Sequence, residues 1–217
     1  MLAPEGYPTI FIVFLFSALT AWGISYLIEH WSVYLIYLAL LSLCGLILFF
    51  FRDPERTPPG DDGLIIAPAD GRVVQIKEVE ELTFLNQKVT QISIFLSPLD
   101  VHVNRVPVTG RLEYLEYFPG KFLMAWEEHA SEQNERAHFG VVHPTGRKFL
   151  FKQITGFMAR RIVYHIREGD TIQAGQRFGI MKFGSRMDIL IPLDVELKVK
   201  EGDRTVAGES ILGVIQQ

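Results

Sequence analysis

The chain has 217 residues, with 25 acidic against 21 basic side chains and a hydrophobic fraction of 48%. That length holds one well-buried domain and an appendage, and a formal net charge of -4 gives no electrostatic case for nucleic acid as a partner. The single cysteine, Cys44, excludes an intrachain disulfide framework and agrees with a reducing compartment.

The apolar residues are concentrated at the N-terminus. Ile10 to Ile28 is broken only by Ser17, Thr20, Gly23 and Ser25. Glu29-His30 interrupts it, and Trp31 to Phe51 is a second apolar run. Each has about the 20 residues that a bilayer-crossing helix needs. Trp22, Tyr26, Trp31, Tyr34 and Tyr37 gather toward the connection, as in an interfacial aromatic belt. The pattern predicts a membrane hairpin over residues 1–51, either spanning the bilayer or entering it as a wedge. The first run lacks a basic leader and is too long for the core of a cleaved signal peptide. All 21 Lys and Arg residues follow Phe51, so the positive-inside rule puts the remaining domain on the cytoplasmic side of the cell (inner) membrane. The Pro- and Gly-rich stretch 52–63 is a linker.

Residues 64–217 read as mostly β. Alternating segments run over Arg72–Ile76, Lys88–Leu96, Arg111–Tyr117, His138–His143 and Lys148–Ile154, each bounded by turn residues. One helix is expected over Arg160–His165, and a short helix or irregular loop over Leu123–Glu135. The pattern suits a β-barrel- or sandwich-like α+β domain more than a parallel α/β sheet. Asp70-Gly71-Arg72-Val73 and Glu168-Gly169-Asp170-Thr171-Ile172 look like the openings of two related β units, and 168–176 followed by Met181-Lys182 resembles a lipoyl-like hairpin.

The sharpest chemical signal is Gly184-Ser185, between two strand-like runs. Glycine leaves its carbonyl open to approach. A turn that presses the serine hydroxyl onto that carbonyl allows attack, conversion of the amide to an ester, and elimination to dehydroalanine, which hydrolyses to a pyruvoyl group. Gly-Ser alone is ordinarily just a turn. Here it closes the run Phe178-Gly179-Ile180-Met181-Lys182-Phe183-Gly184-Ser185, preceded by Ala67-Pro68-Ala69-Asp70-Gly71 and by Leu96-Ser97-Pro98-Leu99-Asp100-Val101-His102-Val103-Asn104-Arg105-Val106-Pro107. These three blocks, in this order, resemble those of the phosphatidylserine decarboxylases, and the resemblance extends from about Pro54 to the C-terminus.

The resemblance implies cleavage between Gly184 and Ser185 into a large chain, 1–184, and a small chain, 185–217, that stay together as a heterodimer and associate further in some arrangements. It implies a pyruvoyl group from Ser185 that forms a Schiff base with the amine of a membrane phospholipid and drives its decarboxylation, phosphatidylserine giving phosphatidylethanolamine and CO2. Asp70 would belong to the machinery that activates the serine. His102 stands at the first of two histidine positions in many members, but Arg105 occupies the second. Arginine cannot serve as a general base. Either His102 then has more than one task, or His138, His143 or His165 supplies the base, or strain drives the cleavage. Arg105 would instead pair with a lipid phosphate or carboxylate. Arg186 follows the processed serine, as in a shorter branch of the family, and its charge would bind the substrate carboxylate or phosphodiester. Asn134-Glu135-Arg136 resembles a further family segment that shapes the site. No metal is implied, since no His/Cys cluster has ligand spacing. Two other readings stand beside this one: a membrane-anchored biotinyl- or lipoyl-like carrier modified on Lys182, and an inert β scaffold.

Overall fold

The computed structural model describes all residues except 28, 122, 125–132, 157–161, 183–184 and 217. It divides into two compact units, Met1–Glu55 and Arg56–Gln217.

In the first unit, helices α1 (Tyr7–Leu27) and α2 (Val33–Phe50) form an antiparallel pair. Tyr37 donates to the Ala21 carbonyl at 3.4 Å, and Cys44 Sγ meets Ser17 Oγ at 3.5 Å. Phe11, Leu19, Trp22, Leu35 and Leu41 remain exposed on the outside. The segments Pro4–Leu27 and Val33–Phe50, with mean hydropathy 2.0 and 2.5, are long and apolar enough to cross a membrane.

The second unit is mostly β, as the alternation predicts, with 41% strand over the described chain against 22% helix. Its strands are β1 (Leu64–Ile66), β2 (Gly71–Glu81), β3 (Gln87–Leu96), β4 (Val103–Arg105), β5 (Gly110–Phe118), β6 (Arg136–Val142) and β7 (Lys148–Thr155), followed by β8 (Ile162–Tyr164), β9 (Thr171–Ile172), β10 (Arg177–Met181), β11 (Ser185–Pro192), β12 (Glu196–Leu197), β13 (Arg204–Thr205) and β14 (Ile211–Val214). The main sheet is an antiparallel curled half-barrel of eight strands in the order β13-β2-β3-β11-β7-β6-β5-β9, with small sheets β4-β10-β8 and β1-β14-β12 beside it. Side chains alternate across the main sheet. Ile92, Ile94, Ala137, Phe139, Phe151, Met187 and Ile189 face the main core. Phe178 of β10 packs edge-on to Phe139 and Phe151, at centroid distances of 5.3 and 5.2 Å, and so joins the β4-β10-β8 sheet to this core.

Strand β11 lies between β3 and β7, and every one of its residues is buried. The helix expected over Arg160–His165 is not formed in its described part. Ile162–Tyr164 is instead strand β8, paired with Gly179–Met181. Ile162 and Val163 are β-branched and lose less in a strand than in a helix, and an open edge of β10 is available to them. Most of the expected helix or loop over 123–135 lies outside the described residues.

Matched hydrogen bonds show two related β units, but the two expected openings are not equivalents of each other: Asp70–Val73 corresponds to Thr109–Leu112, and 168–172 to 201–205. Val73 donates to Asp203 O and Leu112 to Asp170 O, both at 2.9 Å, while Gly202 donates to Val73 O and Gly169 to Leu112 O. Gly208 donates to Ala67 O and Gly175 to Val106 O, both at 2.8 Å. The segment Ala67–Val73 with Lys200–Ser210 is thus repeated by Val106–Leu112 with Arg167–Gln176. One side-chain contact is also shared: the Ala207 amide donates to Asp70 Oδ1 at 2.7 Å, and the Ala174 amide to Thr109 Oγ1 at 3.2 Å.

Candidate active site

Ser185 opens β11, with Leu96 at the end of β3 on one side and Thr155 at the end of β7 on the other. Its side chain lies on the core face with Met187 and is completely buried. Its Oγ has no hydrogen-bond partner among the described residues. Buried hydroxyls are ordinarily paired, which sets this one apart. Gly184, expected to supply the attacked carbonyl, lies outside the described residues.

The Asp70 block reaches the same end of the sheet. Arg72 of β2 pairs with Phe95, and Phe95 with Arg186. Asp70, just before β2, is therefore about two strand spacings, roughly 10 Å, from Ser185 along the hydrogen-bonding direction. Gly71 permits the close approach of β2 to β3 here, because a Cβ on it would lie 2.2 Å from the Phe95 carbonyl oxygen. Asp70 Oδ2 accepts from Arg56 at 3.0 Å, and Arg56 also lies 3.6 Å from Glu209. In the second β unit the uncharged Thr109 makes the equivalent backbone contact. The turn itself therefore does not require a carboxylate at position 70.

The third block leaves β3 through a turn in which Asp100 Oδ2 accepts from the Ser97 amide at 2.8 Å. His102 follows and is fully buried. Its Nδ1 is 2.9 Å from the Asp100 carbonyl. A carbonyl only accepts, so Nδ1 carries a proton, and whenever the ring is neutral its lone pair is on Nε2. Arg105 is also buried and donates to the Gly175 carbonyl at 3.0 Å, while its own amide donates to Pro68 O. Its Cδ packs against Gly208, where a Cβ would be 2.7 Å away. Asp70 and Arg105 thus both border the Ala207–Gly208 turn.

Arg186 is not brought to the Ser185 side chain. Successive strand residues point to opposite faces, so Arg186 lies across the sheet from the serine hydroxyl. It is 1% exposed, with Nε donating to Asp188 Oδ1 at 2.7 Å and a terminal nitrogen donating to Ser93 Oγ at 2.6 Å. His138 shares that outer face, in register with Lys152, which pairs with Asp188 in turn. Burial, aided by Lys152 and Arg136, lowers its pKa to about 3, and neither ring nitrogen has a partner among the described residues. His143 contacts Thr145 Oγ1 at 2.8 Å and the Asp62 carbonyl at 3.1 Å. Asn134 Nδ2 donates to the Thr155 carbonyl at 2.7 Å, tying the Asn134-Glu135-Arg136 segment to the strand beside Ser185. Lys182 is half-buried just after β10.

Residues 43–213 match the family model of phosphatidylserine decarboxylase. The chain belongs to the phosphatidylserine decarboxylase family. It is 59% identical over 179 residues to a phosphatidylserine decarboxylase proenzyme of Salinibacter ruber, covering 81% of this chain and 79% of that one. It is 44% identical to the proenzyme of Symbiobacterium thermophilum, covering 100% and 97% of the two chains. Against that of Chlorobium phaeobacteroides it is 43% identical, with 100% of both covered. Membership makes the chain a decarboxylase, and among the described residues no group of His, Cys, Asp and Glu could hold a metal ion.

The sequence did not single out Arg56, which looks like a linker cation but holds Asp70. It also gave no sign of Gln153, fully buried in β7, whose Nε2 donates to Asn104 Oδ1 at 2.8 Å.

Proposed function

We propose that the chain cuts itself between Gly184 and Ser185, and that its two fragments, 1–184 and 185–217, together decarboxylate phosphatidylserine to phosphatidylethanolamine at a membrane surface. The observation that carries this reading is the completely buried Ser185 hydroxyl, without a partner among the described residues, at the sheet end where the Asp70 and His102 blocks meet. A hydroxyl without a partner is free to attack, and leaving it unpaired costs about 1–3 kcal/mol that a purely structural serine would not bear. A buried serine on a central strand also suits a group that must be kept from water once formed.

A pyruvoyl group at position 185 would supply a carbonyl that condenses with a primary amine, releasing water, and takes up the electron pair left on the substrate carbon as CO2 departs. The chain's own residues do the rest. His102, with its Nδ1 proton committed to the Asp100 carbonyl, offers Nε2 as the proton acceptor and donor. Asp70, held by Arg56 and the Ala207 amide, supplies a fixed negative charge that favours a protonated partner during self-cleavage. Arg105 sets the Asp70 turn through Pro68 and Gly208 and provides positive charge for the headgroup. For Arg186 the hydrogen bonds to Asp188 and Ser93 support a framework role. The apolar helices α1 and α2 anchor the enzyme where its lipid resides, with the β unit on the cytoplasmic side because all 21 basic residues follow Phe51. Self-cleavage and a membrane anchor are not needed by a Lys182-modified carrier, and the half-buried setting of Lys182 does not favour one.

The test is the intact mass of the denatured protein beside Ser185→Ala. Two fragments meeting at 184/185, the smaller blocked by a ketone, are expected for the wild type, and a single chain for the variant. One uncut chain in both samples refutes the reading. Among cut proteins, loss of lipid decarboxylation in His102→Ala separates its role in turnover from one in cleavage.

A further inference from the structure

Ser185 is not the only buried side chain with a polar atom that has no partner among the described residues. Asn104 and Gln153 are both fully buried and bonded to each other, yet Asn104 Nδ2 and Gln153 Oε1 each lack a partner among the described residues. Three such buried atoms close together, without partners among the described residues, are unusual, because each costs free energy that a paired or apolar residue would not.

Register places them beside the serine. Ser185 pairs with Thr155, and Met187 with Gln153, on the core face of β11 and β7. Gln153 is therefore the diagonal cross-strand neighbour of Ser185, a spacing of about 7–8 Å between Cα atoms that a glutamine side chain can bridge. Asn104 comes from the other layer. It pairs with Gly179 of β10, and it lies two residues after His102, whose carbonyl accepts from Met181. A period of two residues puts the side chains at 102 and 104 on the same side. Gly179 makes the meeting possible, since a Cβ there would lie 2.2 Å from Val163 O and 3.2 Å from Gln153 Nε2. The pair thus connects β4, which directly follows His102, to the strand beside Ser185.

The bond between the amides fixes their polarity. Gln153 spends one donor on Asn104 Oδ1, which leaves a donor on Asn104 and an acceptor on Gln153. That combination matches an α-amino acid headgroup, which presents a carboxylate and a primary amine on one carbon. We propose that the Asn104–Gln153 pair is a subsite for this headgroup, Asn104 Nδ2 donating to the carboxylate and Gln153 Oε1 accepting from the amine. This rests on the decarboxylase reading. A neutral amide orients the carboxylate without a full positive charge that would stabilise it against losing CO2, a reason to find Asn rather than Lys or Arg here. Because Asn104 Nδ2 is buried with no partner among the described residues, a headgroup lacking the carboxylate leaves this donor unmet, which is how a polar site discriminates strongly.

The test compares serine and ethanolamine headgroups on full-length cut protein in detergent, using short-chain phosphatidylserine and phosphatidylethanolamine with cyanoborohydride. Condensation of the lipid amine with the small chain's ketone releases water, and hydride from the reagent fixes the adduct, read as a mass increase on fragment 185–217. Asn104→Asp and Gln153→Glu put a carboxylate where the substrate carboxylate would bind or beside it. Each is expected to remain cut, to raise the half-saturating concentration for the serine lipid by about tenfold or more, and to leave that for the ethanolamine lipid within about twofold. Equal effects on both lipids, or none, overturn the proposal and make the pair a bridge between sheets satisfied by solvent. Loss of self-cleavage in both variants also overturns it and assigns the pair to processing. Wild-type protein that stays uncut and takes up neither lipid refutes the decarboxylase reading itself. If one variant fails to fold, the other carries the same comparison.

Discussion

Replacement of Asp188 by alanine tests how the strand that carries Ser185 is held. Arg186 Nε and Asp188 Oδ1 are 2.7 Å apart, and the two side chains are 2% and 0% exposed. Removing the carboxylate leaves the guanidinium in the interior without that counter-charge, while the bond to Ser93 Oγ at 2.6 Å remains. Breaking one side of a buried pair costs about 3–5 kcal/mol. In a domain of this size 1 kcal/mol moves the melting temperature by about 2–4 °C, so the expected fall is about 6–20 °C. The assay is thermal unfolding of the full chain in detergent, with intact mass taken beforehand to compare samples in the same state of cleavage. Arg186→Met/Asp188→Leu removes both charges and is expected to recover most of the loss, since an apolar pair has no ionic desolvation to offset. An unchanged melting temperature in Asp188→Ala refutes the argument that this pair anchors β11. A double variant no better than the single refutes the electrostatic explanation and leaves packing as the cause.

His138→Leu should flatten the acid side of the stability profile. The folded state lowers this pKa from 6.5 to about 3 through burial first, then through Lys152 and Arg136. Between those values the unfolded chain binds the proton and the folded chain does not, so stability is lost as pH falls from about 6.5 toward 3, approaching about 1.4 kcal/mol per pH unit from this group. Urea unfolding at pH 6.5 and 4.5 checks it, and identical slopes with pH in the two proteins would refute it. Gly175→Ala should destabilise more than Gly202→Ala. Both glycines have positive φ, +83° and +93°, but a Cβ at 175 meets Pro58 Cγ at 2.2 Å whereas one at 202 meets nothing within 4 Å. The open site should lose about 1 kcal/mol and the crowded one at least twice that, read from urea midpoints; equal losses would mean that the Pro58 segment moves aside freely.

The sequence by itself determined the components. Long apolar runs before Phe51 dictate helices, which pair their backbone polar groups internally, and period-two alternation dictates the long strands β2, β3, β5, β6 and β7, because both are properties of consecutive residues. The blocks around Asp70, His102 and Ser185 identify the family for the same reason. Only the tertiary structure decided what stands beside what. The β8 strand is local sequence overruled by an open edge on β10. Arg186 adjoins Ser185 in sequence yet lies on the other face of the sheet, since strand geometry separates neighbours that a linear reading joins. Arg56 beside Asp70 depends on how the segment before β1 packs, and Gln153 beside both Asn104 and Ser185 on long-range strand pairing. These partners lie from 14 to 49 residues away in the chain, and no local pattern records where β7 and β11 come into register.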